Sequence, residues 1–265
     1  MDESTRLRKE QEAAFHDRIR DSSLKDDPAE FERLTANRKF YRIDRKSRTF
    51  CEGWVIEQSR GGHLLDYGCG DAHYSFVAAR NGGRATGIDI SPVSIANIEQ
   101  RARAEGLADR LEFLVMDAEN LTFPDNTFDA VIITGVLHHL DVNRAYPELA
   151  RVLKPGGKVL AIEALGHNPI IQAYRDRTPH LRTAWESQHI IRLKDIRAAK
   201  RYFERVRRRY FHLATLAAIP FLGTPVFGPV LSVLELVDEV LLRVPWLQVE
   251  AWMVAFELSA PRKQR

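Results

Sequence analysis

The stretch Leu64-Leu65-Asp66-Tyr67-Gly68-Cys69-Gly70-Asp71-Ala72 decides how the rest of the chain is read. Residues 63–67 are few, mostly apolar and followed at once by glycine, the pattern of a buried parallel strand that ends at a ligand. Gly68 and Gly70 can take positive φ and leave no Cβ between the backbone and an approaching group. Phe76, Val77 and Ala79 then recur at helical spacing over residues 72–80. A strand, a glycine turn and a helix N-terminus in this order make the first crevice of a nucleotide-type α/β sheet.

Charge narrows the choice of ligand. A dinucleotide fingerprint would have its third glycine at position 73, where this chain has His73. Its pyrophosphate would also lie against Asp66 and Asp71, which repel an anion and favour a cation. Residues 64–72 resemble the first motif of the class I S-adenosylmethionine-dependent methyltransferases, with Ala72 where the family usually has a third glycine. The resemblance implies S-adenosylmethionine as cofactor and S-adenosylhomocysteine as product. It places Asp66, Gly68 and Gly70 at the methionine end, with Cys69 inside the same turn.

Residues 84–90 read as the second strand, and Asp89 follows Gly68 by about the twenty residues expected of a ribose-binding acid. A carboxylate there accepts from both ribose hydroxyls, with Ile90 beside it. The competing task, capping the helix over 93–105, falls to Ser91 with Pro92 behind it. The third strand, 111–116, leads to Asp117 and Ala118, which the resemblance places on the adenine side; a loop aspartate bonding its own backbone is the alternative. The fourth strand, 129–134, is nearly all aliphatic, hence central, and ends at Thr134 beside the cofactor. Gly135-Val136-Leu137-His138-His139-Leu140 leaves it at the carboxyl edge, where ligands bind. His138 and His139 are the catalytic candidates, as general base toward an acceptor hydroxyl or as positional groups that move no proton. A helix over 143–153, the turn Lys154-Pro155-Gly156-Gly157 and a fifth strand over 158–163 complete the resemblance. It covers about positions 60–165.

The 265 residues suit one α/β domain with additions, and 45% hydrophobic with 28% charged residues is ordinary for a globular protein. A net charge of +3 is too small to argue for nucleic acid. Cys51 and Cys69 offer no disulfide framework and suit a reducing cytoplasm, and no apolar leader opens the chain. Residues 1–60 form a helical cap in pieces, with Asp27-Pro28 starting one helix and Tyr41 facing the pocket. Residues 61–165 are the cofactor-binding core, and 166–265 the acceptor and lid region with the last two strands. No metal is called for.

Beyond position 165 the family pattern fades and acceptor choice should be written. Tyr41, His167, Asn168, Tyr174 and Arg175 are the acceptor candidates, with a surface loop as the alternative for the last four. Nine basic and two acidic residues lie between Arg192 and Arg209, where Leu193, Ile196, Phe203 and Val206 suggest an amphipathic helix. Such a face can be merely solvated, or can attract an anionic acceptor or lipid. Residues 210–234 lack acids, lysine and arginine, but three prolines break them as a membrane span. Strands over 205–212 and 250–258 close the sheet, and residues 214–247 form an apolar helical insertion.

The expectation is a Rossmann-like α/β fold: a seven-stranded, mostly parallel sheet with helices on both faces, an N-terminal helical cap and that insertion as a lid. The reading is methyl transfer to a small lipophilic acceptor in the cytoplasm, with peripheral membrane contact through the lid and a homodimer as further expectations. Rivals are a nucleic-acid methyltransferase, a silent cofactor-fold binding protein, and a nicotinamide oxidoreductase, which His73 disfavours.

Overall fold

In the computed structural model, which describes residues 3–263, β1 (His63–Tyr67), β2 (Arg84–Asp89), β3 (Leu111–Val115), β4 (Phe128–Thr134), β5 (Leu153–Ala164), β6 (Phe203–Phe211) and β7 (Met253–Pro261) form one sheet. Its order is β3-β2-β1-β4-β5-β7-β6. Only β7 pairs antiparallel, with β5 on one side and β6 on the other. Successive strands step outward from β1 in one direction and from β4 in the other. The carboxyl ends of β1 and β4 therefore part and leave the crevice in which such sheets bind ligands. Leu64, Leu65 and Tyr67 are fully buried, as a strand covered on both faces requires.

The helices are α1 (Glu3–Arg20), α2 (Pro28–Thr35), α3 (Arg45–Ser59), α4 (His73–Arg80), α5 (Pro92–Ala104), α6 (Val142–Val152), α7 (Pro169–Arg177), α8 (Ala184–Gln188), α9 (Leu193–Ala198), α10 (Phe227–Leu241) and α11 (Pro245–Gln248). One core joins Cys51, Trp54 and Val55 of α3, Phe76 of α4 and Ile95 of α5 to alternate strand residues such as Leu64 and Ile132. The other joins Tyr146 and Leu149 of α6 and Ile196 of α9 to Leu65, Val131 and Val159. The period-two pattern of β1 and β4 is thus divided between two apolar layers. Helix starts follow their signals. Asp27 caps α2 through Glu30 N, with Pro28 first, and Ser91 caps α5 through Ser94 N, with Pro92 first.

Three local expectations change. The Lys154–Gly157 turn lies within β5, whose Leu153 already pairs with Phe128 before a register shift. The helix of the basic run stops at Ala198, and Phe203 and Val206 belong to β6, where residues alternate between faces instead of following a helical period. The apolar insertion is real, but it packs on α3 and is no lid. Arg45 Nε donates to Glu235 Oε1 at 3.0 Å and Lys46 Nζ to Glu239 Oε1 at 2.8 Å. Asp238 accepts from the backbone N–H groups of Leu213, Ala214 and Thr215, holding the 3-10 turn over Ala214–Phe221 against α10. The last two strands share the sheet of the core, as expected of a seven-stranded sheet.

Candidate active site

A cavity of about 1040 Å3 opens at the carboxyl ends of β1–β4. Gly68, Cys69, Gly70, Asp89, Ile90, Asp117, Ala118 and Thr134 all line it, so the sequence candidates from four strand ends converge. The turn needs its glycines. Gly68 has φ +73°, and a Cβ there would lie 2.5 Å from Val136 Cγ2; Gly70 has φ +58°, and its Cβ would lie 2.8 Å from Arg20 Nη2. Asp89 Oδ2 accepts from Gly70 N and its Oδ1 from Ser91 N, both at 2.9 Å. The carboxylate therefore fixes the first turn to the end of β2. Burial raises the Cys69 thiol well above its ordinary pKa, which removes thiolate reactivity. Ala72, in the place of the third glycine, still takes the left-handed conformation at φ +56°.

One of the acidic assignments changes. Asp66 is buried under the turn and lines neither the large cavity nor a second one beside it. Its Oδ2 accepts from Ser75 N at 3.0 Å and Ser75 Oγ at 2.8 Å, tying β1 to α4. Burial pushes its pKa from 3.8 to about 7, against the hydrogen bonds from Ser75. It is a support for the turn. Asp117 does line the cavity, but both oxygens are engaged: Oδ2 by Lys9 Nζ and Oδ1 by Glu119 N. It faces the roof as much as any adenine.

That roof is α1, whose site residues the sequence reading missed. Arg8 Nη2 donates to both oxygens of Glu119 at 2.7 Å, and Glu119 Oε1 also accepts from Asp141 N at 2.7 Å. Asp17 Oδ1 accepts from Ser91 Oγ at 2.5 Å. Glu12 Oε2 meets His139 Nδ1 at 2.9 Å, and His16 stacks edge-on against His139 with centroids 5.0 Å apart. Burial works to raise the Glu12 pKa, but the bond to His139, its charge and the bond from Thr183 outweigh it, leaving the carboxyl low. His16 is pushed down to about 2, first by burial and then by the charges of His139, Arg20 and His138, so it is neutral. Arg20 lies against Gly70, and its Nη1 is buried without a hydrogen-bond partner. A long run with few apolar residues but closely spaced acids and bases was the available signal.

The two histidines divide. His139 lines the large cavity and holds the roof. His138 lines the second cavity, of about 60 Å3, with Tyr41, Tyr174, Arg175, Glu186 and Trp252. Its Nδ1 lies 2.7 Å from Glu163 Oε2, while Glu163 Oε1 accepts from Val136 N and Leu137 N. Burial lowers the His138 pKa, but the charge and hydrogen bond of Glu163, with the charge of Glu186, raise it above the usual 6.5. Glu163, a lone carboxylate ending an apolar strand at the carboxyl edge, was legible but unread.

Of the acceptor candidates, Tyr41 lines both cavities, and Tyr174 and Arg175 line the second. His167 and Asn168 line neither. His167 Nε2 accepts from Leu193 N, and Asn168 caps α7 and donates to the Glu250 carbonyl, tasks that turn both into the scaffold. No residue of 214–247 lines either cavity, which removes the apolar insertion from the acceptor site. Metal-ligand atoms of Glu12, His16 and His139, and of His138, His139 and Glu186, lie within 4.8 Å of one another. The Glu12–His139 hydrogen bond accounts for the first grouping, and the attraction of Glu186 for His138 for the second.

A switch-point crevice with a paired glycine turn and a strand-end carboxylate is a layout this core shares with class I S-adenosylmethionine-dependent methyltransferase domains. Residues 65–161 match the family model described as a methyltransferase domain. Over 121 residues the chain is 39% identical to the ubiquinone/menaquinone biosynthesis C-methyltransferase UbiE of Cereibacter sphaeroides, covering 44% of this chain and 48% of that protein. Over 99 residues it is 37% identical to sterol 24-C-methyltransferase ERG6B of Gibberella zeae, covering 37% of this chain and 26% of that protein. The chain thus spans half or less of the length of these relatives. The geranyl diphosphate C-methyltransferase structure from Streptomyces coelicolor shares the fold, with a TM-score of 0.57 over 80% of each chain at 14% identity.

Proposed function

We propose that this chain transfers a methyl group from S-adenosylmethionine to a small, lipophilic acceptor. The observation that carries the reading is the Gly70–Asp89 contact at 2.9 Å at the large cavity, which brings a strand-end carboxylate, suited to a ribose, beside the paired-glycine turn. The residues present fit the cofactor. A Cβ at Gly68 or Gly70 would close the cradle, Arg20, whose Nη1 makes no hydrogen bond and lies 3.9 Å from Asp89 Oδ1, offers a cation for an amino-acid carboxylate, and Met116, Ile90 and Leu140 give apolar walls for a base. At about 1040 Å3 the cavity is at the upper end of ordinary ligand sites, with room for cofactor and acceptor together.

Bound there, S-adenosylmethionine supplies a methyl group already activated by its sulfonium. The chain then has to orient the acceptor, exclude water and, for a hydroxyl or an acidic carbon, remove a proton. His138 is placed for the last task. Glu163 engages Nδ1, leaving Nε2, 3.9 Å from Glu186, at the second cavity. His139 and α1 close the cavity from above. Calorimetric titration with S-adenosylhomocysteine, and with NAD in parallel, tests the reading. Binding of S-adenosylhomocysteine alone supports it and opens a screen of lipophilic acceptors, and binding of NAD alone overturns it.

No helix among the described residues is long and apolar enough to cross a membrane. We place the protein in the cytoplasm, with peripheral lipid contact through α10. Val233, Leu236, Val237 and Val240 are exposed, and Trp246 is 72% exposed. Arg205, Arg207 and Arg209 of neighbouring β6 add a basic margin on the strand face shared with Phe211. Co-sedimentation with anionic but not zwitterionic vesicles is expected; a concentration-dependent dimer with no vesicle binding would assign the face to a second copy instead.

A further inference from the structure

We infer that the acceptor carries an anionic group, a carboxylate or a phosphate, bound by Arg175 and Tyr174 in the second cavity; this rests on the methyltransferase reading. His138, Tyr174, Arg175, Arg182 and Glu186 are among the polar side chains that line that cavity. Their pairing is incomplete. Glu186 Oε1 lies 3.4 Å from Arg182 Nε and 3.9 Å from His138 Nε2, so the single carboxylate lining the cavity is turned toward Arg182 and His138. Arg182 Nη1 is further occupied by the Thr178 carbonyl at 2.9 Å. Arg175 has no ion-pair partner among the described residues, and its Nη1 is buried with no hydrogen bond. The Tyr174 hydroxyl is likewise buried and unpartnered.

Buried donors are ordinarily satisfied, and a buried cation without an anion is costly. Two such donors on successive residues of α7, both lining one cavity, match a ligand that presents two anionic oxygens. Burial and the charge of Arg182 lower the Arg175 pKa to about 10, so the guanidinium keeps its charge at neutral pH.

The aromatic walls fit the rest of the acceptor. Phe40 meets Tyr174 at 4.8 Å between centroids and Trp252 at 5.7 Å, and Tyr41 meets Trp252 at 5.5 Å. The cavity, about 60 Å3, takes an anionic headgroup and not a whole molecule. Asn37 and Tyr41 line both cavities, so the apolar body of the acceptor passes along them toward the larger one. His138 lines the anion subsite, and its neighbour His139 lines the cofactor crevice.

The probes are benzoate, phenyl phosphate and neutral benzyl alcohol, titrated into the full chain with and without saturating S-adenosylhomocysteine. One of the two anions is expected to bind more tightly than the alcohol, and which one tells carboxylate from phosphate. Loss of a charge-assisted hydrogen bond is worth roughly 10- to 100-fold, so Arg175→Gln should weaken anion binding by that factor, with Arg175→Lys in between. Tyr174→Phe keeps the ring and should cost several-fold. Affinity for S-adenosylhomocysteine should stay the same in all three variants. Equal binding of the three probes, or anion affinity unmoved in both Arg175→Gln and Tyr174→Phe, overturns the inference. If S-adenosylhomocysteine fails to bind the wild type while the Arg175 effect persists, the methyltransferase reading falls and the anion subsite stands.

Discussion

Glu12 and His139, separated by 127 residues in sequence, meet at 2.9 Å and join the roof helix to the loop after β4. Breaking that contact should loosen the roof without touching the glycine turn. Glu12→Gln is expected to raise the dissociation rate of S-adenosylhomocysteine by roughly tenfold, as loss of one charged hydrogen bond implies, with a smaller change in association rate. Stopped-flow displacement measures both.

Asp89 holds two backbone N–H groups and faces the large cavity. Asp89→Ala should weaken S-adenosylhomocysteine binding by about 10- to 100-fold, since it removes a ribose acceptor and frees the Gly70 turn. Calorimetry alongside thermal melting separates lost contact from lost fold. Unchanged affinity would end the ribose assignment.

His138 must be neutral to accept a proton, and its pKa is raised by Glu163 and Glu186 against burial. Below that pKa the base is protonated and idle. Turnover of a hydroxyl acceptor should therefore increase with pH through a midpoint above 6.5. Glu163→Gln should move the midpoint down, and His138→Gln should remove this limb of the profile while sparing cofactor affinity.

Asp66 binds its proton more tightly folded, with a pKa of about 7, than at its ordinary 3.8. Its contribution to stability is thus complete below about pH 4 and is lost as pH rises through 7. Both hydrogen bonds from Ser75 fall on one oxygen, which an amide oxygen can replace. Asp66→Asn should stabilise the protein at pH 8 by an amount of the order of 2–4 kcal/mol and flatten its Tm profile between pH 5 and 8. A Tm difference independent of pH would refute this.

The buried Asp238 carboxylate accepts from three successive backbone N–H groups. Asp238→Ala should cost roughly 2–4 kcal/mol, as for a buried cap with several charged bonds, and leave S-adenosylhomocysteine affinity unchanged. Urea titration and calorimetry check the two halves. A selective loss of ligand binding would return the insertion to the site.

The strands and the glycine turn were legible because local patterns set them. Two-sided burial makes β4 a nearly continuous aliphatic run and β1 a short, mostly apolar one, and positions 68 and 70 of the turn after Tyr67 admit little but glycine. What could not be read locally depends on contacts across the chain. Nothing within α1 tells that Arg8 reaches Glu119, and Asp66 and Asp117 carry the right chemistry at the right spacing but spend it on Ser75 and Lys9. Asn168 looked like an acceptor contact because it follows β5 at the ligand edge, where a capping side chain is just as much needed. The apolar 214–247 segment suggested a greasy lid, since hydrophobicity alone does not say which neighbour it covers.

Tyr174, Arg175, Arg182 and Glu186 come from a single crossover between β5 and β6, whereas the glycine turn, Asp89 and the roof helix come from the first 140 residues. The donor and recipient halves of the reaction are therefore encoded in consecutive blocks that meet at His138, Asn37 and Tyr41. Exchanging residues 166–202 as one cassette would replace Tyr174, Arg175, Arg182 and Glu186 together, and with them Thr183, whose hydroxyl holds Glu12 of the roof, so such an exchange has to keep Thr183.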